Sequence, residues 1–342
     1  MFDFLTHRIG FACKYMHADQ SLPATVLESV QRPYNGRTVT MTWLSNQTEA
    51  DAHAKLWSVI EHNITSYRNL VEYVTKLPRP RHMLRLSSDL LPGYTHPKCA
   101  NFYKLQAVQD YIGHELSLIG EMARESDIRL SMHPGQFTSI VSENDNTINN
   151  SLTELEYHGD IAEMMGYGAD FQDFKINIHL SGKRGVDGFE SVYNRFSSRL
   201  RNMITLENDE YTQGLDSVLQ LSDRVPVVLD IHHHWIKDDE YIQPDDPRIE
   251  QIVASWRGVR PVIHYSYSAE SCFPDTFTHD RLYSMAELST MKLKKNKLRA
   301  HSDMYPNSVA NQWALSHLVW ADIMCESKCK NLASQQLFEQ MP

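Results

Sequence analysis

The chain contains no apolar run approaching the roughly 20 residues needed to cross a bilayer. Its opening stretch, MFDFLTHRIGFACKYMH, has too short an apolar segment and no small-residue cleavage site. Neither a membrane span nor a secretory signal is expected. Cysteine is scarce: Cys13, Cys99, Cys272, Cys325 and Cys329 form an odd set without paired spacing. That argues against a disulfide scaffold and fits a reduced, cytoplasmic setting. No GxGxxG or P-loop pattern occurs, which removes the commonest reasons for an open nucleotide-binding sheet. Excess basic charge is missing too. A formal charge of −10 argues against broad, nonspecific adhesion to nucleic acid, although it leaves room for a local basic groove. No repeat, low-complexity tract or domain linker interrupts the 342 residues.

What the chain has instead is histidine, 17 in all, and several stand where short apolar runs end. Seven such runs finish in imidazole or carboxylate. They are RHMLRLSSDLLPGYTHP with His96, IRLSMHPGQF with His133, FKINIHLSG with His179 and MITLENDE with Glu207. VPVVLDIHHHW follows with Asp230 and His233, RPVIHYS with His264, and LRAHSDMY with His301 and Asp303. Strand-like runs recur near 7–12, 82–87, 128–132, 174–179, 203–206, 225–230, 260–265 and 297–301, with helical patterns between most of them. Leu56, Ile60, Ile64, Tyr67 and Val71 form the stripe of an amphipathic helix within 50–76. Residues 104–124 read likewise. So do 151–165, which open on Ser151 with Glu154 as a capping box, and 309–330 read as a last helix carrying Cys325 and Cys329.

Alternating strands and helices predict a parallel sheet, and eight strands predict one closed TIM (β/α)8 barrel over residues 1–342. A polar, turn-rich segment over about 13–49 is expected to be a long loop across the barrel mouth. In such barrels active sites form where strands end, so ligands scattered in sequence converge in space. Imidazole together with carboxylate suits divalent manganese, zinc or magnesium, with manganese favoured. Six or more such groups predict more than one ion, with Glu207 placed to bridge two of them. Clustered divalent ions suit phosphodiester hydrolysis, because they polarise the phosphoryl oxygens and stabilise the leaving oxygen. Glu207 and His234 are the candidate catalytic groups. His232, His233 and His234 are adjacent, so only one or two of them are expected to reach metal; His82 opens its strand at the wrong end and is expected to be structural. Gln136 and Phe137, on the rigid HPGQF turn, are candidates to wedge into a base stack. Lys183 and Arg184 are candidates to hold phosphate.

The stretches IGFACKY, RLSSDLLPGYTHP, RLSMHPGQF, INIHLSG, TLENDE, VVLDIHHHW and VIHYSYS, in that order, resemble the UV damage endonuclease family. That family is related to the endonuclease IV-type AP endonucleases. The resemblance implies metal-dependent incision of damaged double-stranded DNA immediately 5′ to UV photoproducts. It also implies metal roles for His96, His133, His179, Glu207, Asp230, His233 and His264, and a lesion-probing role for Gln136, with Phe137 where a tyrosine is usual. Two departures stand out. A lysine found in family members two residues before the strand-seven histidine is Val262 here. The family glutamate near the last strand is replaced by RAHSDMY in this reading, with His301 or Asp303 as the substitute. Two rivals follow from the same residues: a metal-dependent sugar isomerase or epimerase of the same barrel class, and a catalytically silent DNA-binding relative. A monomer is expected.

Overall fold

The computed structural model describes residues 7–135 and 138–341. Eight parallel strands close into a barrel in chain order: β1 (Ile9–Ala12), β2 (Met83–Leu86), β3 (Arg129–Met132), β4 (Lys175–His179), β5 (Ile204–Glu207), β6 (Val227–Asp230), β7 (Val262–Tyr265) and β8 (Asp322–Cys325). β8 pairs with both β7 and β1, which completes the ring. The expected TIM barrel is the observed fold, as one domain.

Period-two alternation divides each strand between two environments. On β5, Ile204 and Leu206 are buried against the helical layer, whereas Thr205 and Glu207 face inward and meet Asn177 of β4. On β4, Lys175, Asn177 and His179 share the inner face. The interior is therefore unusually polar for a barrel, which is otherwise filled by branched apolar residues. Register sets the upper rim: His179 lies beside Glu207, and Asp230 beside His264.

The helices follow from local signals. Thr48 accepts a hydrogen bond from the Asp51 amide and opens the helix Glu49–Thr75, whose buried face includes the expected Leu56, Ile60, Ile64, Tyr67 and Val71. The helix Gln106–Glu125 packs so tightly that a Cβ on Gly120 would meet the Met165 carbonyl oxygen at 1.8 Å.

Three expectations are corrected. The helix foreseen from Ser151 begins earlier, at Asp145–Met164, because Asn144 caps it by accepting from the Asn146 and Thr147 amides. Ser151 is buried in that helix and its hydroxyl returns to the Thr147 carbonyl. The 13–49 segment is partly helical, with Ala24–Gln31 and Met41–Ser45 between its turns.

The third correction matters most. The eighth strand is not near 297–301, where Lys295–Leu298 is a short helix, but at Asp322–Cys325, inside the stretch read as a last helix. That stretch is the helix Ser308–Ser316, a tight turn at His317–Val319, the strand, and a final helix Lys330–Phe338. A four-residue strand buried on both faces is a short apolar run, and here it continues the helical spacing of the residues before it. Cys325 accordingly ends a strand, and Cys329 precedes the final helix.

Candidate metal centre

Six strand ends deliver ligands to one place at the carboxyl mouth of the barrel. His133, His179 and Glu207 form one group; Glu207, Asp230 and His233 a second; Asp230, His264 and Glu326 a third. Within each group the ligand atoms lie within 4.8 Å of one another. Glu207 belongs to the first two groups and Asp230 to the last two, so the three form one continuous cluster.

The carboxylates are held from behind. Asn177 donates to Glu207 Oε2, and Thr205 Oγ1 donates to Asn177 Oδ1 at 2.7 Å, which fixes the amide and hence the carboxylate. Asp230 ends β6 and caps the helix Ile231–Asp238: its Oδ1 accepts from the His232 and His233 amides, both at 2.8 Å. Asn208 clasps the Asp230 backbone, accepting from its amide at 2.8 Å and donating to its carbonyl at 3.0 Å. Glu326 is bound by Arg85. His264 Nε2 faces Lys175 Nζ at 3.1 Å, while its Nδ1 lies 3.2 Å from both Glu207 and Glu326.

Several ligand atoms are left over. Glu207 Oε1, Asp230 Oδ2, His264 Nδ1 and His179 Nδ1 are buried without a hydrogen-bond partner among the described residues. Orphaned buried groups of this kind are costly. Here carboxylate oxygens and imidazole nitrogens are orphaned together, which is the donor set of a divalent cation site. The residues fit metal.

The electrostatics agree. Burial alone would raise the Glu207 carboxyl, but the His264 and His179 imidazoles hold it well below its usual range. Asp230 is pushed well above its usual range by burial and by the negative charges of Glu207 and Glu326, despite His233. Burial would lower His233, yet Asp230, Glu207 and Glu210 lift it to about 9. Burial takes His264 down to about 4 and Lys175 to about 7, the latter despite Glu207. The pocket is short of positive charge, and divalent ions would supply it.

His133, His179, Glu207, Asp230, His233 and His264 are thus brought together as the sequence predicts. Others are placed elsewhere. His96 is half-buried outside the three groups. It accepts from the Lys98 amide at 3.2 Å and lines a cleft of about 500 Å³ with Gly135 and Glu154. His301 is near but not in a group, its Nδ1 3.1 Å from the Glu326 carbonyl oxygen. Asp303 is exposed and lies 3.5 Å from Lys328, away from the cluster. His234 is turned to Asp238 and Glu240, at 3.1 and 2.9 Å, rather than to the ligands. After Asp230 the chain becomes a helix, so neighbouring side chains diverge by about 100°. His233 takes the site, His232 is locked by Ser266 and Ser268, and His234 points away. His82 is structural, as expected: its ring nitrogens lie 2.8 Å from the Ser126 and Leu77 carbonyl oxygens. Lys183 is exposed and pairs with Glu143 at 3.0 Å, and Arg184 donates to Ser191. Gln136 and Phe137 lie outside the described residues.

Two members of the cluster were missed. Glu326 follows β8 directly, so misplacing that strand hid it and made the last-strand glutamate seem lost. Lys175 stands two and four residues before the inward Asn177 and His179, a period-two signal readable in KINIH. Val262 offers no ligand, but a lysine does reach His264, from β4 rather than β7.

A family model described as UV-endonuclease UvdE matches residues 7–342. The chain belongs to that family. The UvdE member described here is 25% identical over 320 residues to the UV DNA damage endonuclease of Bacillus thuringiensis subsp. konkukian, covering 89% of each chain. It is 29% identical over 277 residues to the UV-damage endonuclease of Schizosaccharomyces pombe, covering 77% of this chain and 43% of that one. The crystal structure of SacUVDE superposes with a TM-score of 0.72 at 22% identity over 97% of each chain. Endonuclease IV from Thermus thermophilus gives 0.51 at 12% identity over 80% of this chain and 91% of that one, a likeness of fold.

Proposed function

We propose that this UvdE member is a metal-dependent DNA repair endonuclease that incises duplex DNA immediately 5′ to UV photoproducts, cyclobutane dimers and 6-4 photoproducts alike. The observation that carries the reading is the continuous cluster of three ligand groups, joined through Glu207 and Asp230, in a chain of this family. Its overlap suits three divalent ions, with His133, His179 and Glu207 on one, Glu207, Asp230 and His233 on the second, and Asp230, His264 and Glu326 on the third. Manganese suits the mixed imidazole–carboxylate set best, with zinc or magnesium as the alternatives. When bound, such ions polarise the phosphoryl group and stabilise developing negative charge at the departing oxygen.

The chain's own residues orient and position. Asn177 and Thr205 hold Glu207 in one rotamer, so its carboxylate is preorganised between two groups. Asn208 and the helix amides do the same for Asp230. Lys183 pairs with Glu143 between two exposed side chains, a contact worth little, so the ammonium is free to exchange it for a backbone phosphate. Arg184 adjoins it in sequence. Gln136 and Phe137 follow the ligand His133 by three and four residues. An amide and a ring there replace hydrogen bonds and stacking lost when the duplex opens at a lesion.

The test is a duplex bearing one photoproduct, incubated with purified protein and manganese. The expected result is a single nick on the 5′ side of the lesion, abolished by chelator and by Glu207→Gln. An intact duplex with the loaded protein, or equal incision by Glu207→Gln, overturns the proposal. Ketose isomerisation under manganese without DNA incision would establish the sugar-isomerase rival.

A further inference from the structure

Beside the metal centre an exposed aromatic ring stands on a basic shelf. β5 ends on Glu207, and the loop after it carries Asn208, Asp209, Glu210 and Tyr211 in succession. Tyr211 is 56% exposed, although large aromatics are usually covered. The exposure is built in. Asp209 accepts from the Tyr211 and Thr212 amides at 2.7 and 2.6 Å, which locks the turn below the ring. The Arg299 guanidinium lies over one ring face, 3.6 Å from its centroid, and is itself held by Glu210 through both Nε and Nη2. Even with the guanidinium on the ring, the residue stays more than half exposed.

The surroundings are basic. Glu210, Tyr211, Ile236, Lys237, Lys295 and Arg299 line most of a cleft of about 330 Å³. Three of those side chains are cationic and one is anionic, a local sign opposite to the −10 of the whole chain. Lys237 Nζ is fixed on the Tyr211 and Thr212 carbonyls, and Lys295 Nζ on the Lys237 carbonyl. The nearby acids are engaged elsewhere: Asp238 with His234, and Asp239 with the Met285 amide. Lys292, Lys294 and Lys297 extend the basic rim, all exposed. Arg299 and these lysines come from the excursion between β7 and β8. It carries a small core of its own, in which Tyr283, Leu288 and Leu298 pack on Trp235 and Ile236. The shelf adjoins the ligands directly, because Glu210 Oε2 lies 3.7 Å from His233 Nε2.

A rigid, exposed ring next to cationic side chains is how single-stranded nucleic acid is held: bases stack on the ring, and phosphates meet the charges. We propose that Tyr211, braced by Arg299, is a stacking platform for an unpaired base of DNA opened beside the metal centre. Lys237 and Lys295 hold the adjoining phosphate. This rests on the nuclease reading and adds to it a strand-holding site on the opposite side of Glu207 from the HPGQF turn in chain order.

The test uses the full chain with calcium in place of manganese and a fluorescein-labelled duplex carrying one photoproduct, with 2-aminopurine in the base next to the lesion. Tyr211→Ala is expected to weaken binding about tenfold and remove the change in 2-aminopurine fluorescence. Tyr211→Phe, which keeps the ring under the guanidinium but loses the hydroxyl that accepts from Arg299 Nη1, is expected to bind far better than Tyr211→Ala. Lys295→Ala is expected to lower the slope of log affinity against log salt by about 1. If wild type binds and incises while Tyr211→Ala matches it in affinity and fluorescence, the platform is wrong and the nuclease reading stands. Equal losses in Tyr211→Phe and Tyr211→Ala would assign the effect to the hydroxyl and overturn stacking. A wild-type protein that neither binds nor incises overturns both.

Discussion

The two ends of β8 carry buried carboxylates four residues apart, and they are treated in opposite ways. At the amino end, Asp322 is fully compensated: Oδ1 accepts from the Arg8 amide at 2.8 Å and from Arg260 Nε at 2.9 Å, and Oδ2 from Arg129 Nη1 at 2.8 Å. At the carboxyl end, Glu326 has Arg85, but it sits with Glu207 and Asp230 in a cluster whose buried oxygens lack partners. A carboxylate closed off by arginines ties strands together. Carboxylates left open to one another reserve space for cations. The bottom of the barrel is therefore a matter of stability, and the top a matter of function at the cost of buried atoms without partners.

The largest expected effect separates the two ends by activity. Glu207→Gln should lower incision about a thousandfold or more, the equivalent of about 4 kcal/mol. In the metal-free protein the change should cost far less than Asp322→Ala, because Gln keeps the shape of the side chain and an oxygen for Asn177, and loses only the charge that the His264 and His179 imidazoles favour. Calorimetry with and without manganese reads both halves. A metal-free variant much less stable than wild type would erase the contrast.

Asp322→Ala should do the reverse. It takes the carboxylate from Arg129 and from Arg260, while Arg8 keeps Asp127, and should cost about 3–5 kcal/mol of stability in denaturant titration. Metal content should be unchanged. Loss of metal in this variant would show that the two ends are not independent.

Histidines sharpen the comparison further. His158 is buried away from the ligand groups, its Nδ1 2.7 Å from the Glu154 carbonyl oxygen, and burial takes it down to about 4. A histidine depressed on folding adds stability that is complete above its unfolded value of about 6.5 and is lost as pH falls towards 4. About 3 kcal/mol should disappear over that window, and His158→Gln should flatten the slope of unfolding free energy against pH. At the ligand His233 the sign is opposite. His233 is lifted to about 9, so metal must displace its proton. Metal affinity should rise with pH by up to about tenfold per unit until near 9. Titration calorimetry in buffers of different ionisation enthalpy would count the proton released.

Much of this was legible in order along the chain. Seven strand positions follow from apolar runs, and the convergence of His133, His179, Glu207, Asp230, His233 and His264 from the ligand side chains at the ends of five of them. The eighth strand was hidden, because Asp322–Cys325 is short and continues the spacing of the helix before it; Glu326 was lost with it. His234 and Asp303 were misjudged for a related reason. Neighbours in sequence look equivalent until the backbone decides which way each side chain faces.

Composition and pattern were enough to dictate a parallel barrel and the kind of atom at its mouth, because alternation and strand-end chemistry are local properties of the chain. Which atoms meet is a different matter. The clasp of Asn177 on Glu207, the reach of Lys175 to His264 and the hold of Arg299 on the ring and hydroxyl of Tyr211 join residues 30, 89 and 88 positions apart. Closure of the ring and the strand register set those distances, and no local spacing encodes them.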